Sequence, residues 1–194
     1  MDIINFTRGV PANESFPIDE VSDAARAAFA ANGRAMMQYG PAAGYGPLRE
    51  WLGAWYGTGP DSVLITNGSL QLIEFLCLRL IQPGDVVFTE SPSYDRTLGM
   101  LRRYHAKIVG IPLEADGPNM EALERALRVQ VPKFFYLIPD FQNPAGSTCS
   151  LAKRRRLVEL ASQYNFLIVE DAPYRLLRYR GVQEPTLREL APDR

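Results

Sequence analysis

From Ser62 to Glu170 the chain alternates short apolar segments with longer amphipathic ones, and this alternation constrains its fold more than any other feature. Apolar runs at Val63–Thr66, Asp85–Thr89, Lys107–Ile111, Phe134–Ile138 and Phe166–Glu170 read as strands. Between them, Ser69–Leu80, Tyr94–Tyr104, Met120–Val129 and Leu151–Tyr164 carry the three-to-four-residue spacing of helices packed on one face. Such a series predicts an α/β fold: a mostly parallel sheet covered by helices on both faces, in three layers. Ahead of it, residues 1–18 are rich in turn formers and read as an extended arm. An alanine-rich helix is expected over Ser22–Asn32, capped by Gly33 in the left-handed conformation. Gly40–Pro47 reads as a loop and Leu48–Tyr56 as a short helix. The expected organisation is therefore an arm and small-domain helix over 1–40 and a sheet-bearing domain over 41–194.

Composition narrows the function. A chain of 194 residues can bury one substantial core. A formal charge of −1 and a pI near 5.9 point to neither nucleic acid nor an anionic membrane as partner. Two separated cysteines, Cys77 and Cys149, with one histidine, His105, argue against a disulfide framework or a metal centre. The start lacks a basic region followed by an apolar signal core. The most apolar run, Leu70–Ile81, is broken by Gln71, Glu74 and Arg79, too polar to span a bilayer. A cytoplasmic protein is expected.

Polar residues gather where the predicted strands end, the edge at which open α/β sheets bind ligands. In Thr66-Asn67-Gly68-Ser69-Leu70-Gln71 a strand turns through glycine into a helix. The unpaired N–H groups of that helix start could receive a phosphate, with the Ser69 hydroxyl beside it; an ordinary N-cap is the plainer alternative. Only one glycine of the dinucleotide fingerprint is present, which weakens a generic nucleotide-binding reading. Glu90-Ser91-Pro92-Ser93-Tyr94 follows the next strand, and the Tyr94 ring could lie on a bound aromatic or simply pack over the sheet edge. Asn143 follows the fourth strand; Asp171 follows the fifth, with Tyr174 three residues on. A carboxylate ending an apolar strand must find a cation or donors. A carboxylate, an amide and a phenol together suit a heteroaromatic ring with a basic nitrogen and a phenolic oxygen, and pyridoxal phosphate is such a ring. Asp171 as a helix cap or loop aspartate is the alternative.

Other features read as structural. Lys153-Arg154-Arg155-Arg156 looks like a solvated helix face, and His105 like a helix-end residue. Lys107 and Lys133 stand at strand starts, away from the ligand edge, so neither suits a covalent bond to a cofactor.

Together these motifs resemble the class I/II, fold-type I pyridoxal-phosphate aminotransferases, and most of all the branch holding 2-aminoadipate aminotransferases and the aminotransferase-like domains of MocR regulators. The resemblance includes Phe6-Thr7-Arg8-Gly9-Val10-Pro11 with Phe16-Pro17, then Tyr39 to Arg49, Thr66–Gln71, Glu90–Tyr94, Asn143-Pro144-Ala145-Gly146 and Asp171–Tyr174. It implies the large domain of a PLP-dependent transferase and amino-group transfer between an amino acid and a 2-oxo acid. By resemblance, Asp171 pairs with the ring nitrogen, Asn143 and Tyr174 bind the ring 3-oxygen, and Tyr94 stacks on the ring. Gly68, Ser69 and the Leu70 amide hold the phosphate, with Tyr39 reaching it from the partner subunit of a homodimer. Leu70 departs from the glutamine often found there, which removes a side-chain donor but not the amide.

The family's Schiff-base lysine falls one strand beyond Glu184–Leu190, so the catalytic lysine is expected to be missing and the chain to be a truncated, N-terminal half, inactive unaided. An uncovered sheet edge is expected with it. The other reading is a non-catalytic effector-binding domain of a MocR-like regulator, or a dead paralogue; the absence of a helix-turn-helix before Met1 counts against the regulator.

Overall fold

A computed structural model describes residue 9 and residues 11–192. The motif over Phe6–Arg8 and Val10, and the apolar arm residues Ile3 and Ile4, lie outside them. The chain forms two compact units, Met1–Thr66 and Asn67–Arg194.

Among the described residues the first unit holds two α-helices, α1 (Ile18–Met36) and α2 (Gly46–Trp55). Alanine-rich α1 is longer at both ends than the sequence suggests. Asn32 leaves helical geometry (φ −140°, ψ 21°) and kinks it, but the helix resumes through Gly33, which is therefore not its cap. Good helix formers on either side outweigh one glycine. Arg49 on α2 organises the return of the chain: its Nε donates to the Val63 carbonyl at 2.9 Å and its guanidinium also reaches Pro60 O and Asp61. Residues 63–66 are extended but join no ladder, so the expected first strand is corrected to an isolated segment. The Ile65 N–H goes instead to the Ala43 carbonyl at 2.9 Å.

The second unit is the α/β body. In order it comprises α3 (Ser69–Leu80), β1 (Val86–Ser91), α4 (Asp95–Arg103), β2 (Lys107–Glu114), β3 (Gly117–Pro118), α5 (Met120–Val129), β4 (Phe134–Leu137), α6 (Leu151–Tyr164), β5 (Leu167–Glu170) and α7 (Leu187–Leu190). The sheet order is β3-β2-β1-β4-β5, parallel except for β3, a two-residue antiparallel strand absent from the sequence reading. Two-residue periodicity sends alternate side chains to opposite faces. Val87, Phe134 and Tyr136 pack with Ile73, Cys77 and Leu101 from α3 and α4. Phe88, Phe135 and Leu137 face Leu123, Leu127, Leu157 and Leu160 from α5 and α6. That is the expected three-layer arrangement. β5 ends the sheet, and its Leu167 is 54% exposed, so the expected uncovered edge is present among the described residues.

The basic run at the start of α6 is not a solvated face. Arg154 is fully buried: Nε donates to Cys149 O at 2.9 Å, one terminal nitrogen to Pro139 O at 3.0 Å and Asp140 at 2.9 Å, the other to Pro185 O at 3.1 Å. Asp140 is equally buried and also meets Arg175 and Arg178. Lys153 is paired with Glu114 and Asp116. This network ties the loop after β4, the start of α6 and the chain before α7 into one body. Breaking a buried pair strands its partner, so Arg154→Met should destabilise the protein by roughly 3–5 kcal/mol in urea unfolding. An unchanged midpoint would mean that Arg175 and Arg178 satisfy Asp140 without it.

Candidate active site

In the sheet order, β1 lies between β2 and β4, which are reached through crossovers running in opposite directions. This is a topological switch point, where a crevice opens beyond the carboxyl ends of the strands. Pairing of β1 with β4 stops at Thr89–Tyr136, and the chain exits separate from there.

The residues singled out after β4 and β5 are brought together. Asn143 Nδ2 donates to Tyr174 Oη at 3.3 Å, so amide and phenol converge although 31 positions apart. Asp171 directly follows β5, its N–H bonded to Leu137 O at 3.0 Å. Its Oδ2 accepts the Tyr136 hydroxyl at 2.7 Å, so it is a buttressed acceptor rather than a helix cap. Tyr136 is fully buried, and burial, reinforced by the Asp171 charge, pushes its phenol well above the ordinary range. It remains a donor at any working pH, with the Asp171 carboxylate as its acceptor. The sequence reading missed Tyr136; within Phe134–Leu137 it passes for one more core aromatic.

Tyr94 is the residue before α4, half-buried against the cluster under α3 and α4. Gly68 precedes α3 with φ 83° and ψ 163°, a conformation closed to side-chain-bearing residues, and Ser69 and Leu70 form the first turn. Gly68 is the N-cap residue of this helix start, without a side-chain cap bond, and Gly68 and Ser69 are exposed. In the first unit Tyr39 is 99% exposed. Lys107 begins β2 and Lys133 immediately precedes β4 beside Asp85, so both stand at the opposite edge of the sheet. Lys153 on α6 is paired with Glu114, the last residue of β2, and with Asp116. His105 follows α4 with its N–H on Arg102 O, a helix-end residue as expected.

Glu90 was passed over in sequence as part of the Tyr94 motif. It is 2% exposed, at the carboxyl end of β1. One carboxylate oxygen accepts the Ile138 N–H at 3.0 Å and Gln142 Nε2 at 3.1 Å. Burial pushes its pKa up to about 7 against the opposing effect of those two donors. An exposed glutamate in a turn would have looked the same in sequence.

The profile of the family described as "Aminotransferase class I and II" matches residues 1–186. The chain is 37% identical over 191 residues to the 2-aminoadipate transaminase of Thermus thermophilus, covering 98% of this chain and 48% of that protein. It is 37% identical to an aromatic-amino-acid aminotransferase of Thermococcus litoralis, covering 93% of this chain and 46% of that one. The crystal structure of a Thermus thermophilus alpha-aminoadipate aminotransferase complexed with N-(5′-phosphopyridoxyl)-L-leucine superposes with a TM-score of 0.91 at 37% identity, over 97% of this chain and 48% of that chain. This chain belongs to the class I and II aminotransferase family. It spans about half the length of the curated relatives it matches. Among the described residues no helix is long and apolar enough to cross a membrane, and no cluster of metal-ligating side chains is present.

The raised Glu90 acidity constant makes stability pH-dependent. The folded state holds a proton between the usual carboxylate range and about 7 that the unfolded chain has lost, so Glu90's contribution is full in acid and is lost as pH rises to about 7. Glu90→Gln, which imitates the protonated acid, should flatten that fall and stabilise the chain at pH 8 by up to about 3 kcal/mol. Urea unfolding across pH 4.5–8 checks it. Parallel curves for the two proteins would show that Glu90 does not hold the extra proton.

Proposed function

We propose that the chain contributes the ring-binding portion of a pyridoxal 5′-phosphate-dependent aminotransferase, which exchanges an amino group between an amino acid and a 2-oxo acid. The observation carrying this reading is the convergence at the carboxyl ends of β4 and β5: a buttressed Asp171 acceptor beside the paired Asn143 amide and Tyr174 phenol. The donor set fits the cofactor's chemistry. A carboxylate suits a protonated ring nitrogen, an amide and a phenol suit a ring oxygen, and a helix start led by glycine suits a phosphate. When bound, the cofactor supplies an electron-withdrawing ring on which the substrate's amino group can be exchanged.

The chain's own residues then have separable tasks. Asp171 keeps the ring nitrogen protonated, and Tyr136 holds that carboxylate in place. Asn143 and Tyr174 orient the ring through its 3-oxygen, and Tyr94 covers one face. Gly68, Ser69 and the Leu70 amide hold the phosphate. We further propose a homodimer in which Tyr39 of one subunit reaches the phosphate held by its partner. In this organisation residues 1–40 form the arm and small-domain helix, and residues 41–194 belong to the large domain. The substrate reading is an amino acid paired with a 2-oxo acid, as the names of the relatives suggest.

Pyridoxamine 5′-phosphate should bind the chain, and Asp171→Ala should weaken it at least tenfold, about 1.4 kcal/mol, in a fluorescence titration. Equal affinities would remove Asp171 from the site. Since Lys107 and Lys133 stand at the opposite edge and Lys153 is held by Glu114 and Asp116, borohydride treatment with pyridoxal 5′-phosphate should leave no label that depends on Asp171. A single lysine labelled in wild type but not in Asp171→Ala, found by peptide mapping, would overturn that placement.

A further inference from the structure

The reading above leaves one buried polar group unused. Glu90 lies under the switch-point crevice, at the place where β1 and β4 cease to pair. A parallel ladder continued one step further would give the Ile138 N–H a backbone acceptor; the Glu90 carboxylate takes that role instead. The same oxygen accepts from Gln142 Nε2, which also donates to the Pro92 carbonyl at 2.9 Å. The far end of the Gln142 side chain faces the other way, its Oε1 accepting the Ala145 N–H at 2.8 Å. The Gln142 backbone closes the turn, with its N–H on Ser147 O at 2.8 Å and its carbonyl accepting from Gly146. One glutamine thus grips the turn that contains Asn143 and fastens it to the exit of β1, two residues before Tyr94.

We propose that Glu90 and Gln142 are positioning residues that fix the Asn143 turn against the Tyr94 turn and so set the geometry of the ring site. The inference rests on the ring-site reading but concerns residues that touch no ligand. Geometry supports a positioning role over simple core filling. Gln142 is 2% exposed, and its amide uses both donor and acceptor ends. Its two donor bonds reach Glu90 and Pro92, far away in sequence, while its acceptor holds the Ala145 N–H of its own turn. A core position with only volume to fill would be served by leucine, at no cost in buried polar groups. The arrangement also explains how Asn143, half-exposed on a loop with Pro144 and Gly146, presents its amide in one orientation. Its neighbour is held on both sides.

The test uses the whole chain and two readouts. The first is hydrogen exchange without ligand. Gln142→Met should release protection of the Ala145 and Gly146 amides while the amides of β1 and β4 exchange as in wild type. The second is binding of pyridoxamine 5′-phosphate and of its analogue lacking the ring 3-hydroxyl. Gln142→Met should weaken the first ligand at least tenfold and the analogue little, because the tie acts through Asn143. Glu90→Asp, which withdraws the carboxylate by one methylene, should behave like Gln142→Met. Glu90→Gln, which keeps an acceptor oxygen within reach, should restore binding.

Wild-type exchange and wild-type affinity in Gln142→Met would overturn the proposal. So would equal losses for both ligands, the sign of general damage. Should Glu90→Asp fail to fold, Gln142→Met decides, because it leaves the Ile138 bond in place. The two readings fail separately. If wild type does not bind, or Asp171→Ala binds equally well, the ring site falls, and the exchange result still judges the tie. If wild type binds and Asp171→Ala does not, while Gln142→Met changes nothing, only the tie falls.

Discussion

Beyond Thr89 and Tyr136 the two central strands can no longer hydrogen-bond to each other, and the rest of the site depends on how the chain meets that constraint. β1 runs on toward α4 and β4 toward α6, helices that pack on opposite faces of the sheet. Diverging exits open a crevice, but they also leave backbone groups at its floor without ladder partners. A buried N–H left in that state costs about as much as a lost hydrogen bond. The chain answers with side chains: Glu90 serves Ile138, and Gln142 serves Pro92 and Ala145. The polar groups under the crevice therefore follow from opening it.

Two buried acids in this region are handled differently. Asp140 is fully buried and surrounded by three guanidinium groups, so its charge is compensated. Arg178 also lies over the Phe141 ring, 4.7 Å from its centroid, extending that network along the loop. Glu90 has only neutral donors, and its pKa rises to about 7 as burial dictates. The first arrangement anchors a long stretch of chain to the body. The second holds a turn with little electrostatic commitment. An arginine beside Glu90 would lower its pKa, but would place a bulky cation beneath the turn that carries Asn143.

What the sequence disclosed follows the same physics. The bounds of α3, α5 and α6 were legible, since their apolar stripes repeat cleanly and each ends at a turn. The parallel sheet was legible from the alternation of strand and helix. Val63–Thr66 misled because an apolar, β-branched run describes a strand's side chains and not whether a neighbour exists to pair with it. Asn143, Asp171 and Tyr174 were legible because polar residues at strand ends have few other uses. Arg154 was hidden among basic neighbours, and whether a cation is buried depends on a carboxylate 14 positions away. Tyr136 and Glu90 were hidden for the mirror reason: their types were unremarkable where they stood, and only the register of β1, β4 and β5 gave them partners.

Neighbouring polar residues after β4 and at the end of β5 divide their roles in the same way. Gln142 is buried and tied, and the next residue, Asn143, faces Tyr174. Glu170 accepts the Leu187 N–H at 3.1 Å and the Arg188 N–H at 3.3 Å, at the start of α7, and the next residue, Asp171, faces Tyr136. In both pairs the first polar side chain is spent on holding its own segment and the second is left at the crevice. At Glu170–Asp171 strand geometry makes this division available, because successive side chains in extended backbone point to opposite sides; at Gln142–Asn143 the hydrogen bonds that close the turn make it. A lone polar residue after an apolar strand would be free to swing; one preceded by an anchored neighbour is confined to about the orientation its backbone allows. Precision at the crevice thus comes from the residue before each of Asn143 and Asp171, set by burial and hydrogen bonding.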